Sequence, residues 1–248
     1  MTYLIIGASS GLGRELANKF AKEKNDLIIS SRDERDLKAI RSDLEIKYKI
    51  NVKCIALDFT SINEIDSKIF TENFPFDQIK GVLFPVGMMF EKDNPLLDSE
   101  SMQKLLNSNF LSISYTIKKF EKYLASGKNF SIIGFGSVSG FLGRKINSIY
   151  AASKRALESY FESLAFDENF KNFNIQFYTL GYLDTNLSFG KDLKLPKGSI
   201  LTLSKIVFKN REVNFKKTFF PKYWALIYLI IKVLPVSIIR KFSAIINK

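Results

Sequence analysis

The sequence predicts an α/β protein with a doubly wound, seven-stranded parallel sheet and a C-terminal apolar, basic helical extension. Three observations predict it. Short, continuously apolar runs alternate with longer stretches whose apolar residues recur at helical spacing, the pattern of strand–helix–strand units in a parallel sheet covered on both faces. The first apolar run ends on the glycine-rich turn Gly7-Ala8-Ser9-Ser10-Gly11-Leu12-Gly13, which opens a helix. With 248 residues, 46% of them hydrophobic and only 13 glycines and 6 prolines, the chain suits one large α/β domain rather than a disordered polypeptide.

Residues 3–6 (Tyr-Leu-Ile-Ile) read as a buried strand because nothing polar interrupts them. Leu12, Leu16, Phe20 and Ala21 then share one helical face. Residues 27–29 form a second strand, followed by a charged helix that runs to about Tyr48. Residues 52–57 form a third strand and 62–70 a further helix. A fourth strand over 81–86 precedes one long helix over 99–124, and a fifth over 130–135 precedes a helix over 149–166. Strands over 175–180 and 213–219 complete the sheet. Residues 184–199 are polar with little periodicity. They follow a strand's C-terminal end, where doubly wound sheets bind ligands, so a substrate lid is expected there. Residues 1–220 are read as one domain and 221–248 as the extension.

Composition removes whole classes of chemistry. The chain has no histidine and a single cysteine, Cys54, which excludes histidine-dependent triads, internal disulfides and Cys- or His-rich metal sites; no metal is expected. The net charge of +12 is unevenly spread. Residues 1–190 hold 24 basic and 23 acidic side chains, whereas residues 191–248 hold 13 basic ones against only Asp192 and Glu212. Within that basic region residues 219–239 are apolar except for Lys222, Lys232, Pro221, Pro235 and Ser237. Lys232 and Pro235 argue against a membrane span. Tyr223, Trp224 and Tyr228 beside lysines, with Arg240 and Lys241 facing headgroups, fit an element lying in a membrane interface over 219–241. A helix buried in the protein or in a dimer contact is the equal alternative. The long aliphatic runs disfavour nucleic acid as a partner. Residues 3–7 are too short, and lack the charged leader, for a signal peptide, so a cytoplasmic protein is expected, with the inner membrane face as an option.

Glycines between a first strand and first helix allow a tight turn and the close approach of a pyrophosphate to backbone N–H groups. That position favours dinucleotide binding over an ordinary glycine-rich turn, with Gly7, Ser9, Ser10, Gly11, Leu12 and Gly13 as contacts. The spacing, G-x-x-x-G-x-G, is wider than the common G-x-G-x-x-G. The second strand ends Ser30-Ser31-Arg32. An acid there would hold the ribose of NAD, whereas a cation suits the 2′-phosphate, so Arg32 favours NADP(H). NAD(H) stays open because Asp33 follows. Asp58, after the third strand, suits the adenine amino group or a plain turn or cap.

Tyr-x-x-x-Lys sets a phenol and an ammonium one helical turn apart, where the cation can ease proton transfer by the phenol. The chain contains the pattern at Tyr115/Lys119, Tyr150/Lys154 and Tyr228/Lys232. Only Tyr150 has a serine thirteen residues upstream, Ser137, in a glycine-rich turn after a strand; the matching positions for the others are Met102 and Phe215. That contrast singles out Tyr150.

Jointly, the glycine motif at 7–13, Asn109, Ser137, Tyr150-Ala-Ala-Ser-Lys154 and Gly181-Tyr-Leu-Asp-Thr185 resemble the short-chain dehydrogenase/reductase family over residues 2–220. The resemblance implies a Rossmann fold and NAD(P)H-dependent transfer of hydride between a carbonyl and an alcohol. It makes Tyr150 the general acid, Ser137 the hydrogen-bond partner of the carbonyl, and Lys154 the ligand of the nicotinamide ribose that also lowers the Tyr150 pKa. Asn109 would hold a water relay to Lys154. Gly87, Gly181, Leu183 and Thr185 would join the cofactor site, and the two long helices would build a homo-oligomer. Two departures stand out: Phe84-Pro85-Val86-Gly87 replaces the family's Asn-Asn-Ala-Gly, and Leu180-Gly181 replaces Pro-Gly. Both the first departure and the tail are similar to those of decaprenylphosphoryl-2-keto-ribose reductases within the family. That narrower likeness implies a keto-sugar substrate, polyprenyl-phosphate-linked, in cell-wall or polysaccharide biosynthesis. A 3-oxoacyl thioester reductase docking an acidic carrier is one alternative. A non-catalytic dinucleotide-binding sensor or scaffold is another, and it would be marked by a broken catalytic set.

Overall fold

The computed structural model describes residues 1–71, 74–124, 129–143, 145–184, 195–235 and 238, without the side chains at 121–124. Among these residues the strands are β1 (Thr2–Ile6), β2 (Asp26–Ser31), β3 (Val52–Ala56), β4 (Ile79–Phe84), β5 (Phe130–Ser137), β6 (Phe173–Leu180) and β7 (Lys216–Phe220). They form one parallel sheet in the order β3-β2-β1-β4-β5-β6-β7. The helices are α1 (Gly11–Lys22), α2 (Glu34–Tyr48), α3 (Ile62–Lys68), α4 (Ser99–Leu106), α5 (Ser112–Leu124), α6 (Ser148–Phe166), α7 (Ile200–Asn210) and α8 (Tyr223–Val233).

Strand periodicity builds two core layers. Successive residues point to opposite faces of a sheet, so Leu4 and Ile6 join a cluster with Ile113, Ile117 and Phe161 from α5 and α6. Tyr3 and Ile5 join the other cluster, with Leu16 and Phe20 of α1, Ile40 of α2 and Leu203 of α7. Strand order reverses direction between β1 and β4. A doubly wound sheet opens a crevice at that switch point, beyond the C-terminal strand ends.

Three elements differ from the sequence expectation. The long helix over 99–124 is interrupted by a π turn, Asn107–Leu111, between α4 and α5. The last strand begins at Lys216 rather than Val213. Helix α7 had no counterpart in the sequence reading. It starts at Ser199, whose side chain caps the Thr202 N–H, and buries Leu203 and Val207 one turn apart.

The C-terminal helix is fastened to the sheet. Trp224 is buried on the inner face of α8, and its indole lies against Gly181, where any side chain would collide with it. Phe141, just beyond β5, packs against Tyr228 with ring centroids 4.8 Å apart and against Trp224 at 6.2 Å. Among the described residues no helix is long and apolar enough to cross a membrane.

Candidate active site

The glycine turn closes over the end of β1. Gly7 and Ala8 donate their N–H groups to the Ser30 carbonyl at 2.8 and 2.9 Å, tying the turn to β2. Gly7 has φ of +96°, and a Cβ there would lie 2.8 Å from the Val86 Cα. A side chain at Gly13 would strike the Gly7 carbonyl, so α1 begins with its backbone close under the turn. Ser10 occupies the cap position but makes no side-chain cap bond. The turn thus presents helix-start N–H groups that its own serine does not cover, the arrangement a phosphate needs. These residues fit a dinucleotide.

Arg32 is exposed at the end of β2. The neighbouring Asp33 is committed elsewhere: its carboxylate accepts from the Arg35 and Asp36 N–H groups at 2.8 and 3.1 Å and caps α2. Asp58 turns its Oδ1 onto the Thr60 N–H and hydroxyl, both at 2.9 Å. Its own N–H donates to Glu64 at 3.0 Å, so Asp58 serves the turn before α3.

Ser137 ends β5, and Tyr150 lies in the first turn of α6. The Tyr150 phenol faces the Ser137 hydroxyl. Ser137 Oγ also donates to Ser139 Oγ at 3.1 Å and accepts from the Ser139 N–H at 3.2 Å. Burial raises the Tyr150 pKa, and the nearby Ser137 hydroxyl offsets part of that. Lys154, one turn along, is 5% exposed and donates to the Phe135 carbonyl at 3.1 Å. Burial lowers its pKa to about 8. The ammonium is aimed at a β5 carbonyl, and the Tyr150 shift is upward.

Asn109 sits on the π turn and is fully buried. A π turn inserts one residue into the helical phase and often marks a functional site. Here it swings Asn109 onto the loop after β4. The side-chain amide accepts from the Met88 N–H at 2.8 Å and donates to the Met88 carbonyl at 2.9 Å. These two bonds use one acceptor site and one N–H of that amide. A Cβ on Gly87 would lie 3.5 Å from both Asn109 Oδ1 and Lys154 Nζ, so these three residues meet.

Beyond β6 the Gly181 N–H donates to the Phe220 carbonyl at 2.8 Å. Leu183 bridges to Gly198. Gly198 donates to the Tyr182 carbonyl at 2.7 Å, and Asp184 donates to the Gly198 carbonyl at 3.0 Å. Thr185, most of the expected lid, Arg240 and Lys241 lie outside the described residues.

The structure also brings in residues that the sequence reading missed. Asp93, in the loop after β4, is 1% exposed and accepts from the Ile149 and Tyr150 N–H groups at 2.9 and 2.8 Å. In sequence it is one acid near Glu91 and Asp98, beside Lys92, with nothing to mark it. Phe141 packs against Trp224, which lies on Gly181; in sequence Trp224 stands out only as an aromatic beside lysines and Phe141 not at all.

The comparisons agree with this geometry. The family model for short chain dehydrogenases matches residues 1–194. A very-long-chain 3-oxoacyl-CoA reductase of Podospora anserina is 27% identical over 230 residues, covering 90% of this chain and 67% of the relative. A 7beta-hydroxysteroid dehydrogenase of Mediterraneibacter gnavus is 27% identical over 182 residues, covering 72% of this chain and 67% of the relative. Among solved structures, a short-chain dehydrogenase from Sphingobium yanoikuyae in complex with NADPH superposes with a TM-score of 0.77 at 23% identity, over 94% of this chain and 96% of that one. A 3-oxoacyl-[acyl-carrier protein] reductase from Brucella melitensis gives 0.78 at 16% identity, over 88% and 89%. At those identities the structural likeness speaks to the fold.

Proposed function

The chain belongs to the short-chain dehydrogenase family, and from that premise we propose that it is an NADP(H)-dependent carbonyl reductase whose proton donor is Tyr150. The observation that carries this reading is the meeting of Gly87, Asn109 and Lys154 beyond β4, with Lys154 one turn along α6 from Tyr150 and held to a β5 carbonyl two residues before Ser137. In this reading Ser137 orients the substrate carbonyl. Tyr150, kept protonated by its burial, gives its proton to the carbonyl oxygen. Lys154 holds a hydroxyl of the cofactor ribose, and the turn from Gly7 to Gly13 holds the phosphates. When bound, the nicotinamide supplies the hydride. Arg32 takes the 2′-phosphate, because Asp33 is occupied in capping α2. The NADPH complex of the Sphingobium yanoikuyae relative is consistent with that choice. The test is binding of NADPH and NADH followed by fluorescence; tighter NADH binding would remove the Arg32 role while leaving the reductase reading in place.

The substrate is a carbonyl carried on a long apolar group. Phe141, four residues beyond Ser137, forms an aromatic wall with Trp224 and Tyr228. A keto-sugar linked to polyprenyl phosphate fits that wall together with the basic C-terminal region. A 3-oxoacyl thioester is the second reading, favoured by the likeness to very-long-chain 3-oxoacyl-CoA reductases. NADPH oxidation with 3-oxoacyl-CoA esters of rising chain length, against lipid-linked keto-sugars, separates the two.

The same reading places α8 on an anionic membrane surface. Leu226, Leu229, Ile230 and Val233 are exposed at helical spacing on its outer face, with Lys222 and Lys232 also exposed on that helix. A short helix with a free apolar stripe and flanking cations suits the headgroup boundary. Leu229→Glu with Val233→Glu should abolish sedimentation with phosphatidylglycerol vesicles; undiminished binding would sink this placement. Self-association through the outer faces of α5 and α6, where Phe166 is exposed, completes the proposal.

A further inference from the structure

We infer that Asp93 is a positioning residue for the proton donor: it replaces the missing cap of α6 and fixes the first turn from which Tyr150 reaches Ser137. The inference rests on the reading of Tyr150 given above. A helix begins with N–H groups that lack intrahelical partners, and the residue before it usually caps them with its side chain. Asn147 holds that position at φ 55°, ψ 38°, and makes no side-chain cap bond. Asp93 does so instead, from 57 positions away in sequence. Its Oδ1 accepts from the Ile149 N–H at 2.9 Å and the Ser148 hydroxyl at 3.3 Å. Its Oδ2 accepts from the Tyr150 N–H at 2.8 Å, and its carbonyl accepts from the Asn147 N–H at 2.8 Å.

A buried carboxylate is costly unless hydrogen-bonded, and these donors satisfy it. The positive end of the helix dipole favours the negative charge there. The placement matters for chemistry because one donor is the Tyr150 amide itself. The loop that carries Asp93 is pinned at its other end by Asn109 to Met88, beside Gly87 and Lys154. One loop therefore fastens the tyrosine end of α6 and crosses beside the lysine one turn further. Releasing the first turn would move the phenol relative to Ser137 while the glycine turn, tied to β2 through the Ser30 carbonyl, stays in place.

The test uses the full chain and needs no substrate. Tyrosine labelled at 13Cζ reports each phenol by NMR, and the Tyr150 signal is identified by its loss in Tyr150→Phe. Asp93→Ala should shift or broaden that signal and speed amide exchange over residues 148–151 by about tenfold or more, as expected for loss of a cap worth ~1–2 kcal/mol. The Tyr115 signal and NADPH affinity should stay within about twofold of wild type. Asp93→Asn, which keeps one acceptor oxygen, should return the Tyr150 signal most of the way and guards against a misfolded alanine variant. An unmoved Tyr150 signal in the alanine variant overturns the inference. So does exchange that accelerates equally across β5 and β6, which would make Asp93 a general stabiliser. Retained turnover in Tyr150→Phe would overturn the donor reading alone, and the signal shift would still report on the cap.

Discussion

Helices α5 and α6 carry the same tyrosine–lysine spacing in two different environments. On α5, Tyr115 donates to Asp66 at 2.5 Å and Lys119 pairs with the same carboxylate at 3.0 Å. The acid raises both pKa values there, chiefly through those hydrogen bonds. On α6 no acid faces the pair in that way. Lys154 is buried against a strand carbonyl and its pKa falls to about 8, while Tyr150 answers to burial and to Ser137. The spacing sets only which side chains are neighbours. What surrounds the neighbours sets their state: Asp66 locks one pair into a surface ion pair, and the sheet end leaves the other with a serine and a strand carbonyl.

That comparison can be broken most severely by exchanging the phenols. Tyr150→Phe should lower turnover by about 10³-fold, in the middle of the range for a lost general acid. NADPH affinity should stay within about twofold. Tyr115→Phe should leave turnover untouched; equal losses in the two variants would erase the distinction. Next in size is a contrast of neighbouring cations. Arg32→Ser should weaken NADPH by about tenfold or more while sparing NADH, since a charge-assisted phosphate bond contributes ~1.5–3 kcal/mol. Arg35→Ser, removing a residue that lies beside the capping Asp33, should change neither, as read by fluorescence titration.

The smallest effect concerns stability. Lys154 has a folded pKa of about 8 against a reference value of 10.5, so the unfolded chain binds more protons between those limits. Folding stability from this group therefore rises with pH from about 8 to about 10.5, and burial of the ammonium is destabilising at neutral pH. Lys154→Met should stabilise the protein by roughly 1–3 kcal/mol at pH 7, with the gain fading above pH 10. Lys119→Met should act with the opposite sign. Its pKa is raised by Asp66, so its contribution is present below the reference value and disappears as pH rises through the raised one. Urea titrations at pH 7 and pH 10 read both.

The strands were legible because a parallel strand buried on both faces leaves continuous apolar runs such as Tyr3 to Ile6. The family set was legible because its residues sit at fixed distances along the chain, as Ser137 and Tyr150 do. Other features left weaker marks. Helix α7 had its capping serine and its Leu203–Val207 spacing in plain view, but it follows a polar stretch that drew the reading toward a loop. The π turn adds one residue to a helix whose apolar phase on either side still looks helical, so 99–124 read as one element. Asp93 and Gly181 owe their roles to partners 57 positions and 43 positions away, Tyr150 and Trp224, and no local pattern announces such pairs.

The clamp beyond β6 has a consequence for how this scaffold can change. Gly198 and the backbone of Tyr182 and Asp184 hold the two ends of the intervening stretch together. Closing a chain between fixed ends costs only about 0.6 kcal/mol for each doubling of its length. The stretch between those hydrogen bonds is thus an exchangeable cassette. Segments of other lengths can be spliced between the same two anchors while the sheet, the glycine turn and the first turn of α6 keep their places.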